Sequence, residues 1–223
     1  MKIRAIVTGA TGMVGEGVLH ECLQDSTVEQ VLSVSRKPCG VVHPKLQELI
    51  IPDFFDLSAV GDKLTGYNAC FFCLGVSSVG MKEPQYGKLT HTLTLNMATL
   101  LSQRNPDMTF CYVSGAGTDS TEEGSSMWAR VKGKTENDLM ALPFKQVFNF
   151  RPAYIHSMPG MKNTNSYYKY ISWLYPVAKL VVPSFVITLH QLGRAMINAV
   201  SKGKQRRVLE VNDIKLLAGE SEN

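Results

Sequence analysis

The amino-acid sequence predicts an α/β protein, a doubly wound parallel sheet with a small C-terminal substrate-side region. Three observations carry that reading. Near-continuous apolar runs of strand length alternate with helical stretches, the pattern of a parallel sheet covered on both faces. A glycine-rich turn, GATGMVG, joins the first of those runs to the first helix. The alternation holds as far as Arg151-Pro152 and then breaks.

In chain order, KIRAIVT (2–8) reads as a strand and MVGEGVLHECLQ (13–24) as a helix with Val14, Val18, Leu19 and Cys22 on one side. VEQVLSVS (28–35) and LQELIIP (46–52) are strands joined by the loop KPCGVVHP. NACFFCLG (68–75), MTFCYVSG (108–115) and KQVFNFRP (145–152) complete the strands, with helical patterns over 82–104 and 125–142 between them. Past residue 152, SMPGMKNTNS (157–166) is a loop. YYKYISWLYPVAKLVVPSF (167–185) is aromatic and apolar, but prolines and lysines break it, so it is unsuited to span a membrane. It reads as a lid or substrate-side helix, with peripheral contact to a membrane surface as the alternative. ITLHQLGRAMINAVSKG (187–203) is an amphipathic helix, followed by a short strand, RRVLEV, and a polar tail.

At 223 residues the chain can bury one sizeable core, so residues 1–223 are expected to form one domain. The net charge of +4 is mild, and its densest cluster, KGKQRR (202–207), has no interleaved aromatic residues. A solvated turn is expected there, and no nucleic acid as partner. Five cysteines, an odd number, and a strand beginning at residue 2 fit a reducing compartment and a cytoplasmic protein. Cys70 and Cys73 have a CxxC spacing, but in a strand they point to opposite faces, and no second Cys/His pair lies near. They are expected to pack in the core, and no metal site is expected.

Strand, GATGMVG and helix together form the Rossmann dinucleotide signature. Gly9 allows the tight turn, Gly12 lets a phosphate approach the backbone, and Gly15 lets helix pack on strand; Thr11, Met13 and Val14 complete the turn. N–H groups at the helix start would hold a pyrophosphate. About 20 residues past the last glycine, where a carboxylate would bind the ribose of NAD, the chain has Arg36 followed by Lys37. A guanidinium there pairs with a 2′-phosphate, so NADP is expected over NAD.

TGATGMVG, Asp53-Phe54, CLG (73–75), YVSG (112–115), the helical lysine Lys132 and FRP (150–152) occur in an order that resembles the short-chain dehydrogenase/reductase superfamily. The resemblance is to its extended and atypical branch: epimerase/dehydratase-like, NmrA-like and Tat-interacting-protein-like oxidoreductases. It covers about residues 1–155, implying a dinucleotide-binding core there and a substrate-side region at 156–223. It implies that Asp53 touches the adenine with Phe54 stacked nearby, and that Gly75 and Val76 line the ribose side. Arg151 and Pro152 would start the loop that carries Ala153, Tyr154 and Ile155 past the nicotinamide. Asn96 would approach the site from its helix, while Asp56 is better placed as a helix N-cap.

The family's proton carrier is a tyrosine four residues before a lysine, which puts both on one helix face. In this chain Trp128 precedes Lys132 at that spacing, and an indole N–H donates a hydrogen bond but does not titrate near neutrality. Ser114 is the candidate for the serine that steadies the substrate oxygen, with Thr118 and Ser120 behind it. Tyr154 is the candidate substitute acid. A literal YxxxK, Tyr175 to Lys179, falls outside the catalytic helix's place in the order. Two functions follow: an NADP(H)-dependent oxidoreductase or epimerase-like enzyme on a small molecule, or a non-catalytic NmrA-type sensor that reports dinucleotide state to a protein partner.

Overall fold

The computed structural model describes residues 1–158, 160–163, 185–203 and 206–219. The chain opens with β1 (Ile3–Thr8), whose side chains divide by parity: Ile3, Ala5 and Val7 enter one apolar cluster and Ile6 the other. The glycine-rich turn then starts α1 (Met13–Gln24), which returns the chain to β2 (Val28–Ser35) and β3 (Leu46–Ile50). A 3₁₀ turn (Gly61–Leu64) leads to β4 (Ala69–Phe72). The expected helix over 82–104 is one continuous path of three pieces: α2 (Glu83–Gly87), a π turn (Lys88–Thr92) and α3 (Leu93–Arg104). Then come β5 (Thr109–Val113), α4 (Met127–Met140) and β6 (Gln146–Phe150).

Among the described residues, seven strands form one all-parallel sheet in the order β3-β2-β1-β4-β5-β6-β9, where β9 is Val208–Leu209. The order reverses between β1 and β4, and that switch point opens a crevice at the carboxyl ends of the strands. The sheet is clad on both faces, as a doubly wound Rossmann fold requires. One face carries α1 and α5 (Leu189–Lys202), and the other α3 and α4. Cys70 belongs to one cluster and Cys73 packs against the other, as strand parity predicts.

Two elements differ from the sequence reading. Tyr154–His156 forms β7, which pairs in parallel with β8 (Val186–Thr188), where a loop was expected. The polar tail is largely α6 (Val211–Ala218), because Glu210 and Asp213 build a reciprocal capping box and Ile214 is fully buried. The stretch 167–185 and the Tyr175–Lys179 pair lie outside the described residues, apart from Phe185.

Candidate functional site

The glycine-rich turn is shaped by close approaches. Gly9 has φ of +73°, a backbone state that suits glycine. A Cβ on Gly15 would lie 2.1 Å from the Gly9 carbonyl oxygen, so only glycine lets α1 start this near β1. Gly12 is different: a Cβ there would meet only the Gly9 oxygen, at 3.4 Å, and Gly75 has nothing within 4 Å. The protein's own packing does not demand glycine at either position. Both border the cleft, with their bare backbone facing whatever enters it. Thr8 ties the two sides of the switch point together, its Oγ1 accepting the N–H groups of Cys73 and Leu74, each at 3.2 Å.

The cleft has a volume of about 1040 Å³. Thr11, Gly12, Met13 and Val14 form one wall, and Gly75 and Val76 continue it. Ser114 and Lys132 stand on a second wall with Pro152 and Tyr154. Cys73 lies at the switch point between the walls, and Ser77, Lys162, Asn163 and Phe185 complete the lining.

Lys132 is half-buried on α4, and its Nζ donates to the Ser114 carbonyl oxygen. Burial lowers its pKa to about 8, with Glu136 one turn along partly offsetting the effect. An ammonium has three protons to donate, so Nζ keeps donors beyond the one given to Ser114. Lys134 points elsewhere, pairing with Asp138 at 3.1 Å on the surface.

Several predicted site residues have other commitments. The Ser114 hydroxyl lies against Glu136 Oε1 and the Phe150 carbonyl, on the buried side of its strand. Arg151 is not a cleft residue. Its guanidinium grips the fully buried Glu136, with Nη2 to Oε2 at 2.5 Å, and also reaches Ser120 Oγ at 2.6 Å and Glu210 at 3.3 Å. Burial opposes the charge on Arg151, but the two carboxylates outweigh it and raise its pKa. A buried carboxylate requires such a partner, and that requirement explains the position of Arg151.

Phe54 is 3% exposed in the core below the sheet, so its ring has no open face for an adenine. Asp53 is exposed, its carboxylate accepting the Phe55 N–H at 2.8 Å. Asn96 spends its amide on the carbonyls of Phe54 and Phe55, at 2.8 and 3.3 Å, rather than on the cleft. Asp56 holds Ser58 in a turn instead of capping an α-helix. Thr118 donates to the Gly115 carbonyl at 2.7 Å. Trp128 is half-buried with its ring edge against Gly117, 3.6 Å from where a Cβ would be, and does not line the cleft. Arg36 is exposed beyond the end of β2; Thr8 pairs with Val34 in the sheet, which sets Arg36 past the edge of the glycine turn. Among the described residues, no group of three His, Cys, Asp or Glu is placed to hold a metal ion.

The sequence profile of the NAD dependent epimerase/dehydratase family matches residues 5–127, more than half of the chain. The chain belongs to that family. Among curated relatives of this epimerase-family chain is the mitochondrial protein FMP52 of Candida glabrata, 29% identical over 154 residues, 68% of this chain and 64% of that one. The match thus spans just under two thirds of the relative's length. Among solved structures, the Bordetella bronchiseptica enzyme WbmF in complex with NAD+ superposes with a TM-score of 0.68 at 14% identity, covering 97% of this chain and 76% of that one. ADP-L-glycero-D-manno-heptose-6-epimerase of Helicobacter pylori gives 0.66 at 14%, covering 98% and 83%. These likenesses establish the fold. The expected cytoplasmic location is corrected by the relatives, since FMP52 proteins of several fungi are named as mitochondrial. Among the described residues, no helix of this family member is long and apolar enough to cross a membrane.

Proposed function

We propose that the protein binds NADP(H) along the glycine-rich turn and acts as an oxidoreductase or epimerase-like enzyme on a small substrate, with Lys132 rather than Trp128 carrying the proton. The observation behind this reading is the cleft itself, which has the glycine turn on one wall and Lys132 on the other. The bare backbone at Gly12 and Gly75 fits a dinucleotide lying against it. When bound, the dinucleotide supplies a nicotinamide that exchanges hydride with a carbinol carbon.

The chain's own groups do the rest. First-turn N–H groups of α1, unpaired within the helix, bind phosphate oxygens. Lys132 orients the ligand through Nζ, and a pKa of about 8 suits it to give or take a proton there near neutrality. The Glu136–Arg151 pair fixes the strand end behind Ser114. The position of Trp128 against Gly117 supports a second reading, a dinucleotide sensor without chemistry, since the residue at the family's proton-carrying position is not among those that line the cleft.

Fluorescence titration with NADPH and NADH tests the cofactor claim. A guanidinium on a 2′-phosphate supports a preference for NADPH of roughly ten-fold or more, and Arg36→Glu removes it. Equal affinity in the unmodified protein would sink the NADP assignment, and binding of neither nucleotide would sink the whole reading.

A further inference from the structure

Glu16 is a buried carboxylate that nucleotide binding, as described above, does not use. It stands in the first turn of α1 and is 4% exposed. Helix dipoles favour an acid at that place, but they do not account for its partners. Oε1 accepts the backbone N–H of Lys162 at 2.9 Å, and Oε2 that of Asn163 at 2.8 Å. One carboxylate therefore ties a loop following β7 to the start of the helix that forms the nucleotide wall. Met161, the preceding residue, packs against the apolar cluster on that face and seats the loop from below.

The charge pattern gives this contact a purpose. Among the described residues, no Asp or Glu lines the cleft, and the charged residues that do are Lys132 and Lys162. They belong to different elements, α4 and the loop held by Glu16. The Glu16 charge sits behind the wall, already shared between two N–H donors, so the face turned to a ligand is cationic. Lys162 itself is exposed and free to meet a ligand.

We propose that Glu16 is a positioning residue that latches the Lys162–Asn163 loop to the start of α1, so that Lys162 takes an anionic oxygen, a phosphate or a carboxylate, of the molecule in the cleft. The ligand half rests on the dinucleotide reading; the latch half stands without it. The oxygen can come from the dinucleotide's own phosphates or from an acidic substrate beside it.

The latch is tested by Glu16→Gln in the full chain, with hydrogen–deuterium exchange and limited trypsin digestion as readouts. A glutamine offers one acceptor and turns an NH₂ toward an N–H, so one of the two bonds is lost. The peptide bond after Lys162 is a tryptic site whose N–H is one that Glu16 holds. Exchange at residues 162 and 163 and cleavage between them are expected to quicken roughly ten-fold, while protection in β1 and β4 is kept. Unchanged exchange and cleavage at that bond would overturn the latch.

The ligand half is tested by Lys162→Ala, an exposed substitution that the fold tolerates. NADPH is titrated first, then inorganic phosphate into the NADPH-saturated protein. NADPH binding weakened roughly ten-fold assigns the oxygen to the dinucleotide. NADPH binding unchanged with phosphate binding lost assigns it to an acidic substrate. If neither changes, the role of Lys162 is overturned. If the unmodified protein binds neither NADPH nor NADH, the dinucleotide reading fails by itself, and the exchange data still decide the latch.

Discussion

Lys132 is held where its surroundings oppose its charge, and the consequence is measurable. Its pKa falls from 10.5 to about 8, because burial costs the ammonium more than Glu136 returns. In the unfolded chain it titrates near 10.5, so between pH 8 and 10.5 the unfolded state binds more protons, and stability attributable to this group rises with pH. Below pH 8 both states are protonated and the contribution is flat. Chemical denaturation of the protein and of Lys132→Met across pH 7 to 10.5 is expected to show the unmodified protein gaining on the variant through that window. A constant difference would place Lys132 in solvent-like surroundings. The lysine was legible from its order between YVSG and FRP. The commitments of its neighbours were not: Arg151 is claimed by a glutamate 15 residues earlier in the chain, and Phe54 by the core. Only assembled elements reveal such partners, since an aromatic after a strand looks the same in sequence whether it stacks on a ligand or fills a core.

At the scale of elements, α4 depends on a crossing that tolerates no side chain. A Cβ on Gly133 would lie 1.7 Å from the Asp119 carbonyl oxygen and 2.5 Å from its carbon. That loop is a built object: Asp119 Oδ1 and Oδ2 receive Thr121 and Gly124 N–H groups, at 3.0 and 2.7 Å, and Asn137 Nδ2 reaches the Ser120 carbonyl at 3.0 Å. Alanine would gain about 1 kcal/mol in helix preference. Forcing backbone from backbone by more than an ångström costs more, about 2–3 kcal/mol. Gly133→Ala is therefore expected to lower Tm, as read by calorimetry, and to weaken dinucleotide binding through Lys132 next to it; an unchanged or raised Tm would refute the crossing. The long strands and helices were readable because each has several apolar residues in phase. β7 and α6 escaped for opposite reasons. Three residues are too few to show a period, and the strand read through RRVLEV takes in Val211, the first of the three buried positions of α6, with Ile214 and Ala218.

For the whole molecule, the sheet is one continuous surface with apolar clusters on both sides, and the C-terminal elements complete one of them. Leu189, Leu192 and Met196 of α5 and Ile214 of α6 are fully buried in the same cluster as Ile3 and Val7 of β1. Gly17 and Gly193 let α1 and α5 approach, a Cβ on Gly193 falling 2.5 Å from the Glu21 side chain. Arg151 extends the bond to the far end, pairing with Glu210, the residue that caps α6. We expect residues 1–155 and the C-terminal region to unfold together, so thermal transitions by far- and near-ultraviolet circular dichroism coincide. Two separated midpoints would show two units.

The parallel pairing of Tyr154 with Val186 has an evolutionary consequence. It brings the two ends of the intervening stretch to one spot at the rim of the cleft, anchored on both sides. Insertions between those anchors leave the sheet untouched, and each doubling of a loop's length adds only about 0.6 kcal/mol of closure cost. The segment is therefore a place where descendants of one ancestor can change the length of the chain while keeping the same sheet beneath it.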